Sequence, residues 1–148
     1  MNGDRARRVR FTLPLPPGIN QQYARVGERR VLSKKSRTFK KRAAHILRRL
    51  SFEGELSDEF LQALKEGYVG LFLDFYFETP LRRDLDGGLK IAQDVICDTL
   101  RINDNRVVDV HLVKRIDPRN PRLEVELEAI SDWQFDLAEY VYLGPGEE

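Results

Sequence analysis

Two short stretches carry most of the chemistry that this sequence could perform. The first is Arg83-Asp84-Leu85-Asp86-Gly87-Gly88-Leu89-Lys90; the second is Asn103-Asp104-Asn105-Arg106-Val107-Val108-Asp109. Two carboxylates two residues apart, a lysine four residues further on and a carboxylate downstream offer hard oxygen ligands beside a cation. Mg²⁺ is typically held by one or two carboxylates together with water and phosphate oxygens. A divalent ion next to an ammonium group suits phosphodiester cleavage, where negative charge builds up on the phosphoryl oxygens. The same residues also have plainer uses. Acids at a helix start satisfy free amides and complement the dipole, and Asp86 and Lys90 stand at the spacing of an ordinary i,i+4 ion pair. Asp94 continues that polar face, Asp104 suits a turn, and Asp109 could pair with a lysine or arginine across a C-terminal hairpin. Spacing alone leaves capping and metal binding both open for Asp84 and Asp86.

The elements that must position these groups follow from periodicity. Val9 to Leu15 predicts a strand, ended by Pro14, Pro16 and Pro17. Gly18 to Arg30 predicts a loop, with Asn20, Gln21, Gln22 and Tyr23 beside several arginines. Ser33 is placed to cap a helix to about Leu50, with Phe39, Ala43, Ile46, Leu47 and Leu50 at helical spacing. Its other faces carry Lys34, Lys35, Arg37, Lys40, Lys41, Arg42, Arg48 and Arg49. A short helix over Asp58 to Lys65 precedes a well-alternating strand from Gly70 to Thr79, ended by Pro80. Asp84 or Asp86 then starts a second main helix to about Leu100, with Leu89, Ala92, Val95, Ile96 and Leu100 as its apolar stripe. Val107 to Ile116 and Leu123 to Ala129 predict two more strands around an Asp117-Pro118-Arg119-Asn120-Pro121 turn, an antiparallel C-terminal hairpin. The tail from residue 131 to 148 carries apolar anchors at Trp133, Phe135, Leu137, Tyr140 and Val141. The order predicts one α+β domain: a small mixed sheet with two main helices packed on it. The second main helix would be about 20 Å long. Asp104 therefore reaches Asp84 and Asp86 only if its turn folds back or if two chains share a site.

Composition supplies a partner. The 148 residues have a net charge of only +1, but residues 1–50 hold 15 lysines and arginines against two acids, Asp4 and Glu28. The remaining residues hold 10 bases and 22 acids. Such asymmetry points to a polyanion at the basic end, or to two surfaces that neutralise each other within the fold or across a dimer. The basic helix, with Lys34, Lys35, Lys40 and Lys41, and the loop, with Arg29 and Arg30, would grip phosphates without reading sequence. Tyr23 is placed either to stack on a base or to pack in the loop. A single cysteine, Cys97, excludes an internal disulfide and falls on an apolar helix face, where a buried thiol is expected. No Cys/His pairing supports a zinc site, and His45 and His111 have no partner at metal-ligand spacing. Apolar runs are too short to span a membrane, and the first residues lack the apolar core of a signal peptide. The expectation is a soluble cytoplasmic protein in contact with a nucleic acid, with no membrane partner.

The acidic stretches, with Arg82 and Asp94, resemble the signature of the RusA-type Holliday junction resolvases. Leu13-Pro14-Leu15-Pro16-Pro17-Gly18-Ile19-Asn20-Gln21-Gln22-Tyr23 is similar to that family's opening strand and Pro-Pro-x-x-Asn-x-x-Tyr loop. The resemblance spans roughly residues 9–130. It implies a homodimeric, metal-dependent endonuclease, using Mg²⁺ with Mn²⁺ as the alternative, that makes paired nicks in four-way DNA junctions during recombination and repair. It assigns Asp84, Asp86 and Asp104 to the metal, Lys90 to catalysis, and Arg83, with Asn20 of the loop, to DNA contact. Two positions depart from the pattern: Gly87 replaces an asparagine, and an Asp-Asp pair is Asn103-Asp104 here. Gly87-Gly88 also weakens the first helical turn. The competing reading is a non-catalytic basic nucleic-acid-binding module whose acids only cap helices.

Overall fold

The computed structural model describes residues 8–18, 21–80, 85–132 and 144. Its elements run β1 (Arg8–Leu13), β2 (Tyr23–Val26), β3 (Arg29–Leu32), α1 (Lys34–Glu53), α2 (Asp58–Glu66), β4 (Tyr68–Phe77), α3 (Leu85–Leu100), β5 (Val107–Ile116) and β6 (Arg122–Ile130). A 3₁₀ turn, Asp104–Arg106, precedes β5. The class is α+β, as expected: a four-stranded mixed sheet in the order β1-β6-β4-β5 beside a two-stranded ribbon, β2-β3.

Alternation in β4 sends Val69, Leu71, Leu73, Phe75 and Phe77 into the core, and β6 does the same with Leu123, Val125, Leu127 and Ala129. Against this face pack Phe39, Ala43 and Leu47 of α1 and Ile91, Ala92, Val95 and Ile96 of α3. Cys97 is buried with them, as its position on the apolar stripe predicts. Ser33 caps α1, its hydroxyl accepting from the Ser36 N–H at 3.1 Å.

The predicted C-terminal hairpin does not form. Among the described residues β5 pairs only with β4, in parallel, whereas β6 pairs antiparallel with both β4 and β1. The cause is α3, a crossover helix that returns the chain to the start of β4 and lays β5 alongside it. The far flank of β4 is thereby left to β6. Strict burial alternation marks β6 as an interior strand, while most of β5 is exposed. A second correction concerns residues 18–30: Tyr23–Val26 and Arg29–Leu32 form an antiparallel ribbon turned at Gly27-Glu28, with Gly27 at φ 63°. Its strands bury little, so the apolar alternation that reveals strands is missing. The tail anchors from Trp133 to Val141 lie outside the described residues.

Candidate nuclease site

The first turn of α3 is assembled from three directions. Its underside meets β4 at Gly88, where an added Cβ would stand 2.5 Å from Cε1 of the fully buried Phe75. From the N-terminal loop comes Gln22, whose side chain is buried and whose Nε2 donates to the carbonyls of Gly87 at 2.9 Å and Pro17 at 3.0 Å. The main-chain carbonyl of Gln22 accepts from the Ser33 N–H and from the buried Ser36 hydroxyl, both at 2.8 Å. One residue thus ties the loop to the starts of both α1 and α3. The sequence shows Gln22 only as a loop residue, since nothing local announces that a glutamine amide will be buried.

At this end of α3 Asp86 and Lys90 are exposed. Asp86 Oδ1 accepts from the Gly87 N–H at 3.0 Å, a local bond to a helix-start amide. Among the described residues neither Asp86 nor Lys90 makes an ion pair within 4.0 Å, so the i,i+4 pair that spacing allowed is not formed. Lys90 instead borders a cavity of about 40 Å³ with Asp94, Ile91, Gln22, Tyr23, Leu32 and Lys40. Lys40 of the basic helix thereby stands near the lysine of the acidic motif. The sequence separation of 50 residues concealed that neighbour. Asp84, Arg83 and Asn20 lie outside the described residues.

Asp104 is placed elsewhere. α3 has 16 residues and is therefore about 24 Å long. Asp86 is in its first turn, and Asp104 opens the 3₁₀ turn beyond its last. The helix closes through Arg101 at φ 57° and an Ile102 N–H to Cys97 carbonyl bond of 2.9 Å, after which the chain goes on into β5. Asp104 stays beside the end of α3: after burial, its charge is the main influence raising the Cys97 thiol to about 11. No group of three or more His, Cys, Asp or Glu among the described residues could hold a metal ion. Within one chain, then, the described acids do not fit a site shared by Asp86 and Asp104.

The cations sort by surface. Arg8 and Arg10 of β1 lie on the sheet face away from the helices and approach Glu126 and Glu128 of β6 at 3.5–4.0 Å, so part of the basic end is neutralised within the fold. Lys34, Lys35 and Lys41 of α1 and Arg29 and Arg30 of β3 are exposed. Lys34 and Lys35 occupy the first turn of α1, which contains no acid. Cations there oppose the helix dipole, a placement that stability alone does not favour and that an anionic partner would relieve. The Arg30 guanidinium lies 4.0 Å from the centre of the Tyr23 ring, covering one face of it. His45 is exposed on α1, and His111 is stacked on Phe72 at 4.6 Å with Nε2 2.9 Å from Asp109 Oδ1. No helix among the described residues is long and apolar enough to cross a membrane.

Comparison with known proteins gives one family: the model for the endodeoxyribonuclease RusA family matches residues 14–128. No curated protein matches the chain.

Proposed function

Because the chain belongs to the RusA endodeoxyribonuclease family, we propose that it is a Holliday junction resolvase, cutting four-way DNA junctions by paired phosphodiester hydrolysis in recombination and repair. The observation that carries this reading is the start of α3, where an exposed Asp86 and a Lys90 that makes no ion pair among the described residues are held by Gly88 against Phe75 and by Gln22. A turn meant only to cap a helix needs neither the lysine nor the clamp. Lys90 is proposed to place its ammonium against the scissile phosphate, where it would stabilise developing charge. The α1 lysines and the β3 arginines would hold flanking phosphates and set the strand's path, contacts that position DNA without specifying its sequence. Arg83, Asn20 and Tyr23 are proposed as further DNA contacts on the strength of the loop and motif resemblance.

Divalent-cation dependence, on Mg²⁺ or Mn²⁺, is proposed from the family resemblance, which assigns the carboxylates of Asp84, Asp86 and Asp104 to the metal, although within one chain Asp104 stands at the far end of α3 from Asp86. A homodimer is proposed because a four-way junction presents equivalent strands to a two-fold symmetric protein.

The test is direct. A labelled synthetic four-way junction and a linear duplex of matched sequence are incubated with the protein, with Mg²⁺ or with a chelator. Symmetric nicks in the junction, absent from the duplex and abolished by the chelator, are the expected result. No cleavage of the junction in Mg²⁺ or Mn²⁺ would refute the proposal.

A further inference from the structure

The end of α3 opposite Asp86 carries a second concentration of cations. Residues 51–148 are acid-rich, with 10 bases against 22 acids. Three of those bases, Lys65, Arg101 and Arg106, meet around one cavity of about 520 Å³, and Tyr68, Asn103 and Asn105 complete its lining. Two others are neutralised elsewhere: Arg115 by Asp74, and Arg122 by Asp117 and Glu124. Lys65, Arg101 and Arg106 make no ion pair within 4.0 Å among the described residues. Glu66, the neighbour of Lys65, accepts from the Gln62 amide at 2.8 Å and borders a different cavity. Asp104 acts on the Cys97 thiol and does not line this space.

Helix ends account for part of this. Lys65 lies in the last turn of α2 and Arg101 directly follows α3, where cations complement the carbonyl end of the dipole. They do not account for the residue type at 101, where φ is 57° and glycine or asparagine is the unstrained choice. Nor do they account for Arg106, which ends a 3₁₀ turn of three residues, too short to align many peptide dipoles. The Arg106 guanidinium stands 5.3 Å from the centre of the Tyr68 ring, a cation–π contact that holds the charge in place without neutralising it. Asn103 Oδ1 accepts from the Asn105 N–H at 3.1 Å, which leaves the Asn103 amide nitrogen to donate. The lining thus offers donors and positive charge. Small-molecule clefts are walled mainly by apolar side chains. A cavity with one aromatic ring among its cations and amides suits the charged backbone of a polymer instead.

We propose that this cavity is a second DNA-backbone site, in which Lys65, Arg101 and Arg106 bind phosphates a helix length away, within one chain, from Asp86 and Lys90. The inference rests on the reading that the chain acts on DNA, and it adds a contact that lies outside both the basic N-terminal third and the acidic motif. The contacts are to phosphate, so they raise affinity for any sequence. α3 is about 24 Å long. One turn of duplex is about 34–36 Å, so a single arm is long enough to reach from one end of the helix to the other.

Binding of the full chain to a four-way junction and to a linear duplex is measured across a salt series in a chelator, so that cleavage plays no part. Each phosphate contact contributes about 0.9 to the slope of log affinity against log salt. Lys65→Gln combined with Arg106→Gln should lower that slope by about 2 and weaken binding at about 0.1 M salt by roughly 10-fold or more. Arg106→Lys keeps the charge and should bind as wild type does. Lys65 is exposed and Arg106 half-buried, so the substitutions spare the fold, which urea unfolding checks. In the wild-type chain Lys65 should react freely with N-hydroxysuccinimide acetate, and DNA should shield it, as read by mass spectrometry. An unchanged slope would overturn the proposal. So would a lowered slope with Lys65 acetylated equally with and without DNA, which would show only a loss of overall charge. A wild-type chain that binds neither DNA overturns the resolvase reading as well. A chain that nicks the junction while the Lys65 and Arg106 substitutions leave binding unchanged overturns this inference alone.

Discussion

At the scale of single residues, Gly88 shows how a position that weakens a helix can be required by packing. Glycine in a helix costs roughly 1 kcal/mol relative to alanine, and the Gly87-Gly88 pair reads from sequence as a loosened turn. The structure supplies the reason for Gly88: a Cβ there would meet the Phe75 ring at 2.5 Å, and Phe75 is wholly buried. Gly88→Ala should therefore destabilise the protein by about 1–3 kcal/mol in urea unfolding, overlap outweighing the gain in helix propensity. An unchanged or raised midpoint would mean that Phe75 yields and the turn is not seated as described. The residue types at Asp86, Lys90 and Asp104 were legible from sequence because spacing alone displays them. Gln22 was not, because burial of a polar side chain depends on a partner 65 residues away.

At the scale of elements, hydrophobic period located the parts and misjudged one pairing. Both main helices, the short helix and the four sheet strands lie where apolar spacing predicts them, and the Ser33 cap fixes the start of α1. The β2-β3 ribbon escaped because its residues are mostly exposed and its arginines show no alternation. The β5-β6 hairpin was wrongly expected because adjacency in sequence favours a hairpin, and only the parallel docking of β5 onto β4 rules it out. Between elements the main tie at the site is the Gln22 amide. Gln22→Met retains the side chain's bulk and removes both donors, leaving the Pro17 carbonyl without its bond. A loss of about 1–2 kcal/mol is expected, with faster hydrogen exchange at the start of α3 than elsewhere in that helix. Uniform exchange along α3, equal to wild type, would show that the clamp holds nothing.

At the scale of the whole molecule, the lopsided charge divides into two parts. Arg8 and Arg10 meet the acids of β6 across the sheet, which is the neutralising role that composition left open. The exposed lysines of α1 and the arginines of β3 remain for an anionic partner, on elements that adjoin the first turn of α3 through Gln22. The separation of Asp86 from Asp104 was visible in outline from the length of the helix between them. Where the intervening chain goes was not, because it depends on how β5 docks. The central claim is that this turn cuts DNA rather than merely capping a helix that binds it. Asparagine at position 86 can still accept the Gly87 N–H, so Asp86→Asn spares the fold and removes the charge. The most direct measurement compares binding and nicking of one four-way junction by wild-type and Asp86→Asn protein in Mg²⁺. Equal binding affinity, with nicking slowed by about 100-fold or more, is the expected result. Nicking at the wild-type rate, or binding by both proteins with nicking by neither, would contradict it.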